Sequence, residues 1–267
     1  MSLNPEPLKL HRPNRSVYWL KFFGITALMV ILYWIALTQT NLSYNTNVSA
    51  ATTLKRLVVG PFTDEQAIAR IPEYSLAMLE TVAIAYAGTL IGAILAIPMG
   101  FLAAKNISNR LAYIGKGILN GIRAFPELLF AIIFVAAVGM GPYAGVLAIG
   151  INSIGMLGKL YSEVVESIDM SVLEALKASG ANRLQMIWFG VIPQIIPEFS
   201  SYAIYRFEID VRSASILGLV GAGGIGAPLL IAAQQRSWEQ VGMMLLIIIV
   251  VVTLIDYLSA YIRRKIV

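Results

Sequence analysis

Nine consecutive residues, Tyr205-Arg206-Phe207-Glu208-Ile209-Asp210-Val211-Arg212-Ser213, put four formal charges into an otherwise apolar stretch. Arg206 and Asp210 are four apart, as are Glu208 and Arg212, the spacing at which helix side chains meet, so each pair can neutralise itself. The offset of two residues is about 200° of helical rotation, so the pairs project from roughly opposite faces. Two readings stand: structural ion pairs joining helices, or a face lining a polar path for a charged solute. In the second, Arg212 and Ser213, nearer the outer end, receive an anion. Arg123 and Glu127 bracket Pro126 and read as a salt bridge across a proline kink or as a gate. Asp256 reads as the partner of an internal cation.

Other chemistries are excluded or weak. There is no cysteine, and the single histidine, His11, lies in a polar N-terminal arm, which removes thiolate, Ser-His and poly-His metal chemistry. Gly221-Ala222-Gly223-Gly224-Ile225-Gly226 fits G-x-G-x-x-G, but that pattern binds a dinucleotide only between a parallel strand and a helix. Here it comes after an apolar helix, so Gly221, Gly223, Gly224 and Gly226 read as a flexible or tightly packed turn. No phosphate-binding G-x-x-x-x-G-K-[ST] loop occurs, so any ATP must be bound by another chain.

The elements that position these residues are membrane helices. Of 267 residues 58% are apolar and only 13% charged, about half the charge content of roughly 25% in soluble proteins. A span needs roughly 20 mostly apolar residues. Six such helices read from the sequence: 17–37, 81–104 with an expected kink at Pro98, 115–138, 143–162, 198–217 and 241–262. The charged fifth helix needs protein or water on both faces, so it is expected to be innermost. The domain order is a cytoplasmic arm at 1–16, a first span at 17–37, an external linker at 38–76, and a core of five spans at 77–267.

With the N terminus inside, cytoplasmic segments carry 14 of the 20 basic residues and outer segments carry Lys55, Arg56, Arg70 and Arg236. By the positive-inside rule both termini are cytoplasmic. The inner loop before the fifth helix, 163–182, is helix-compatible and mildly amphipathic. Its small residues Ala175, Ala178, Ser179, Gly180 and Ala181 offer a low surface that another protein can approach closely.

That loop resembles the signature of importer-type ABC permeases, E-A-A-x-x-x-G-x9-I-x-L-P. Glu174, Ala175, Gly180 and Pro193 match in register, while Leu176, Gly190 and Ile192 depart from it. Arg123 to Phe130, the Gly139–Val146 turn, Tyr205 to Glu208, Val211 to Ala214 and the Gly221–Gly226 turn resemble phosphonate-importer permeases, from about residue 75 to the end. The resemblance implies an all-α fold of six transmembrane helices, similar to methionine permeases, and a homodimer in the bacterial inner membrane. It implies two cytoplasmic ATPase subunits that use ATP and Mg and grip the Glu174–Asn182 helix, and an external solute-binding protein delivering a phosphonate or related oxyanion. This chain would bind no cofactor, metal or nucleic acid and would not itself be an enzyme. Alternatives are a methionine, other amino-acid or phosphite importer. An ion-coupled secondary transporter predicts inverted repeats, and none is visible. An intramembrane enzyme would need an acid pair in a recognisable motif.

Overall fold

The computed structural model describes residues 15–39 and 50–266; most of the expected N-terminal arm, with His11, lies outside them. The chain divides into two units, one ending at Ser49 and one starting at Ala50. In the first, helix α1 (Arg15–Gln39) contains the expected first span. Its Thr26 and Thr38 hydroxyls donate to carbonyls one turn back, so these polar groups are satisfied within the helix, as hydrocarbon requires.

In the second unit, α2 (Ala50–Val58), α3 (Gly60–Thr63) and α4 (Glu65–Ala69) are short. Much of what the sequence presents as a linker is therefore helical from Ala50 onward. These helices lie against the start of the last helix, Trp238–Ile266. A Cβ on Gly242 of that helix would collide with the Leu57 carbonyl, so only glycine lets the backbones meet there. Arg56 clamps Glu239 through Nε at 2.6 Å and Nη2 at 3.0 Å.

Helix α5 (Ile71–Ala103) starts ten residues before the expected Thr81 and continues through Pro98. The short α6 (Lys105–Ser108) joins it to the third expected helix. That helix is two, α7 (Leu111–Ala124) and α8 (Glu127–Val138), bent by 83°. Pro126 has no N–H to donate and forces the residue before it out of the helical region; Phe125 is accordingly extended, at φ −88° and ψ 127°. What the sequence presents as a kink is a break.

Helix α9 (Pro142–Glu166) packs along α5 by small residues. A Cβ on Gly92 would stand 2.5 Å from Ser153 Cβ. Close approach through small residues is how helices associate where lipid is as apolar as leucine. Next along the chain are α10 (Met170–Ala178), α11 (Arg183–Met186) and a π-helical turn at Ile187–Val191, leading into α12 (Ile192–Leu217). A 3₁₀ turn, the glycine turn and the unforeseen α13 (Gly226–Gln234) connect α12 to the last helix, α14 (Trp238–Ile266).

Among the described residues, four helices are long and apolar enough to cross a membrane, and five if α7 and α8 form one broken span. The expected fifth, α12, is long enough, but its charges keep it below that standard, so the count of six rests on it. It is not the innermost helix either: α9 buries 13 of 25 residues and α12 seven of 26. Small residues let α9 sit between neighbours, whereas α12 keeps one side uncovered.

Candidate functional site

The two expected ion pairs on α12 form, and they do face opposite ways. On one face the Asp210 carboxylate is fully buried. It pairs with Arg206 Nη2 at 2.7 Å and accepts from Thr89 Oγ1 at 2.7 Å and Ser153 Oγ at 2.8 Å. Arg206 donates from Nε to Ser153 Oγ at 3.0 Å and from Nη1 to Met156 Sδ at 3.2 Å. Its Nη2 also reaches Glu127 Oε2 at 3.4 Å, and Asn152 Nδ2 donates to the same oxygen at 2.7 Å.

This network corrects the expected Arg123–Glu127 bridge. Arg123 is exposed and forms no ion pair among the described residues, because the break turns Glu127 toward α9 and α12 instead. Arg206 thus ties the first residue of α8 to α9 and α12, and Asp210 adds α5 through Thr89. Burial of charge requires such partners. Sequence reasoning missed Thr89, Asn152, Ser153 and Met156; the available signal was a hydroxyl or amide set among glycines in an apolar helix.

On the other face, Glu208 accepts from Arg212 at 2.6 Å and pairs with Arg263 of α14 at 3.1 Å, while Arg212 reaches Asp256 at 3.1 Å. The Arg263 guanidinium lies 5.4 Å from the Tyr205 ring centre, a cation–π contact. Ser213 is partly buried and joins neither network. The expected depths need correction: the sequence puts Arg212 toward the outer end of its helix and Asp256 toward the inner end, yet the two are in contact. Ser153 and Thr89, both near the middle of their helices, place Asp210 level with the middles of α9 and α5. Arg212 is two residues, about 3 Å of helical rise, further along.

The glycine turn is tightly packed. Gly221, Gly223 and Gly224 have φ of 89°, 84° and 74°, the left-handed region that glycine enters without penalty. The Gly224 amide donates to Glu80 Oε1 at 3.1 Å and the Ile225 amide to Thr81 Oγ1 at 2.8 Å. Gly141 N–H donates to the Gly221 carbonyl at 2.9 Å. A Cβ on Gly224 would strike Thr81 Oγ1, and one on Gly226 the Ser215 carbonyl. The described residues contain no strand, so this turn lacks the setting of a dinucleotide site.

The signature loop runs through α10, α11 and the π-helical turn to the start of α12. Glu174, Ala175, Gly180 and Pro193 are exposed, and Leu176 and Ala181 partly so. Asp169 caps α10 by accepting from the Ser171 amide at 2.9 Å; hydrogen bonding from Ser171 holds its carboxyl below the usual carboxylate range. Gln194 clips this corner to α12, accepting from Asp169 N–H and donating to the Gly190 carbonyl, each at 2.8 Å. A Cβ on buried Gly190 would lie 2.8 Å from Leu173 Cδ2 and 3.0 Å from Leu176 Cδ1, so α10 is seated on the π-helical turn. Gly180 ends the corner with φ of 84°.

Residues 96–267 match the model of a family described as "Binding-protein-dependent transport system inner membrane component". The chain belongs to this family. It is a permease subunit of an ABC importer. A phosphite transport system permease protein of Stutzerimonas stutzeri is 39% identical over 189 residues, 70% of this chain and 69% of that one. A phosphate-import permease protein of Mycolicibacterium smegmatis is 38% identical over 193 residues, 72% of this chain but 36% of the relative. A putative cryptic phosphonate transport system permease protein of Escherichia coli K12 is 44% identical over 118 residues, 44% of this chain and 97% of that one. In fold, this permease resembles a chain of the inward-facing MetNI methionine ABC transporter with a TM-score of 0.61 at 20% identity, covering 72% and 94% of the two chains. A chain of an amino acid ABC transporter solved with histidines gives 0.63 at 17% identity, covering 76% and 98%.

Proposed function

We propose that this permease carries a phosphorus oxyanion, a phosphonate or phosphite, across the bacterial inner membrane as one of two identical subunits. Two cytoplasmic ATPases supply the energy and an external binding protein supplies the solute. The observation that carries the reading is α12: four paired charges on one helix packed among apolar spans, in a chain whose relatives are named for phosphite, phosphonate and phosphate transport. An ionisable group there costs at least about 2.5–3.5 kcal/mol on insertion scales and marks an ion or solute pathway by default. Arg206, Glu208, Asp210, Arg212 and Ser213, with Arg123 and Glu127 at the α7–α8 break, supply the polar groups of such a route.

Helix α10 is the proposed coupling helix, with Glu174 to Ala181 entering a groove of the ATPase. The Gln194 clip and the Gly190 seat join it to α12, so a push on α10 moves α12 as a rigid lever. Both termini lie on the ATPase side in this scheme, as the distribution of basic residues demands.

The test is uptake into proteoliposomes holding the permease, its ATPase and its binding protein. Labelled methylphosphonate or phosphite should accumulate with ATP, and excess unlabelled methionine should not compete. Accumulation of methionine, with none of either phosphorus oxyanion, would replace this reading with the amino-acid one suggested by the fold neighbours.

A further inference from the structure

Helices α2 and α3 present two contrasting sides. Leu54 and Val58 lie one turn apart on α2, and Thr52 and Arg56 project from the opposite side of the same helix. Leu54 is 63% exposed, Val58 56% and Phe62 of α3 69%. Polar groups gather elsewhere: Lys55, Arg56, Thr63, Asp64 and Glu239 line a cavity of about 320 Å³.

Helix α14 sets the level of this surface. Glu239 is the last charge before its uncharged run 241–255, so the edge of the hydrocarbon falls close to Glu239. Trp238 beside it is of the residue type that collects at membrane–water interfaces. Helices α2 and α3 meet α14 at that edge. Arg56 clamps Glu239, and the next residue brings its carbonyl onto Gly242, inside the uncharged run. Gly60 is closed on Glu239 as well, a Cβ there standing 2.6 Å from the Glu239 Cγ.

Water, a docking protein and lipid are the candidate occupants of the apolar side. Water leaves three large apolar side chains uncovered. A face for a protein that docks and departs carries polar groups around its apolar centre, whereas Ala50, Ala51, Leu54 and Val58 supply no polar side chain. A helix with cations on one side and aliphatic residues on the other has the composition that lies in a membrane interface. We propose that α2 and α3 form an interfacial foot, with Leu54, Val58 and Phe62 set among the lipid chains just beneath the headgroups and Lys55 facing water. Through the Arg56 clamp and the Gly60 and Gly242 seats, the foot holds the Glu239 end of α14 at a fixed depth. The leaflet, the outer one, follows from the reading with both termini inside; the lipid seat does not depend on it.

The absence of native cysteine allows nitroxide labels at single positions. Leu54→Cys, Val58→Cys and Phe62→Cys report the apolar side and Lys55→Cys the polar one, each in the full-length permease with its ATPase in phospholipid nanodiscs. Collision with oxygen, which concentrates in lipid, is compared with collision with a water-soluble nickel chelate. The oxygen-to-nickel ratio at 54, 58 and 62 should exceed that at 55 several-fold. Nickel access at these positions equal to that at 55 would overturn the foot, and so would shielding from both agents, which marks cover by protein. The three substitutions replace exposed side chains, so loss of one variant leaves two that read the same side. Lys55→Cys should also react with a membrane-impermeant maleimide in intact spheroplasts. Reaction only after permeabilisation would overturn the reading with both termini inside and leave the lipid seat to stand or fall on the nitroxide result.

Discussion

Arg206 holds three elements through one guanidinium, which sets what each substitution in the network does. Arg206→Gln leaves two carboxylates, Asp210 and Glu127, facing each other in a buried site. Removing one partner of a buried ion pair costs about 3–5 kcal/mol, so this variant should lose most of its folded, monodisperse yield and melt well below the parent in detergent. Asp210→Asn keeps an acceptor for Thr89 and Ser153 and should melt closer to the parent than Arg206→Gln does. The reverse order would show that Asp210, not Arg206, is the hub. The pairing of these charges was legible in the sequence because i,i+4 spacing is a local property. The hydroxyl partners and the swing of Glu127 away from Arg123 were not, because they depend on how separate helices meet.

The same contrast holds at the signature loop. Leu176 stands where the signature has alanine and Gly190 where it has isoleucine. The structure brings the two together, with Leu173 and Leu176 sharing the space a side chain at 190 would occupy. The two departures therefore compensate in part. Gly190→Ile alone should overpack the α10 seat, at about 1–3 kcal/mol, and Leu176→Ala alone should leave a gap. The double variant should recover thermal stability and ATPase co-purification beyond either single change; additive losses would refute the compensation.

At the scale of elements, the α5–α9 pair is the frame that holds the charged network. Gly92 seats Ser153 at the position from which it serves both Asp210 and Arg206. Gly92→Leu should pry the helices apart and abolish monodisperse protein in size-exclusion chromatography. Gly117→Ala, at a site with nothing within 4 Å of the added carbon, should behave as the parent. Helix existence was legible from apolar run length, and the α7–α8 division from Pro126, though not as a bend of 83°. Helices α2 to α4 and α13 were not, because they are short and owe their place to packing on α14 and to the glycine turn, contacts far away in sequence.

At the scale of the whole molecule, the proposed coupling runs from α10 to the charged stretch of α12. Asp169, Gln194 and the Gly190 carbonyl form one hydrogen-bonded corner between α10 and α12. Gly180 sits at the exposed end of that corner with no atom near its missing side chain. The first carbon of a side chain at 180 meets nothing within 4 Å, and the left-handed φ adds backbone strain at one exposed position. Gly180→Trp should therefore remain folded yet fail to co-purify with the ATPase. Retained co-purification would place the docking surface elsewhere. Fold class was legible at this scale because apolar length is a property of the linear chain. The uncovered side of α12 was not, because it depends on which neighbours pack around that helix.

The central claim is that transport through this chain is powered by a separate ATP-hydrolysing subunit bound at α10. The decisive measurement is solute accumulation in sealed liposomes containing the permease, with the ATPase present or omitted and with ATP or an ion gradient as the energy source. Accumulation only when ATPase, binding protein and ATP are all present is the predicted result. Uphill accumulation by the permease alone on a proton or sodium gradient would contradict it.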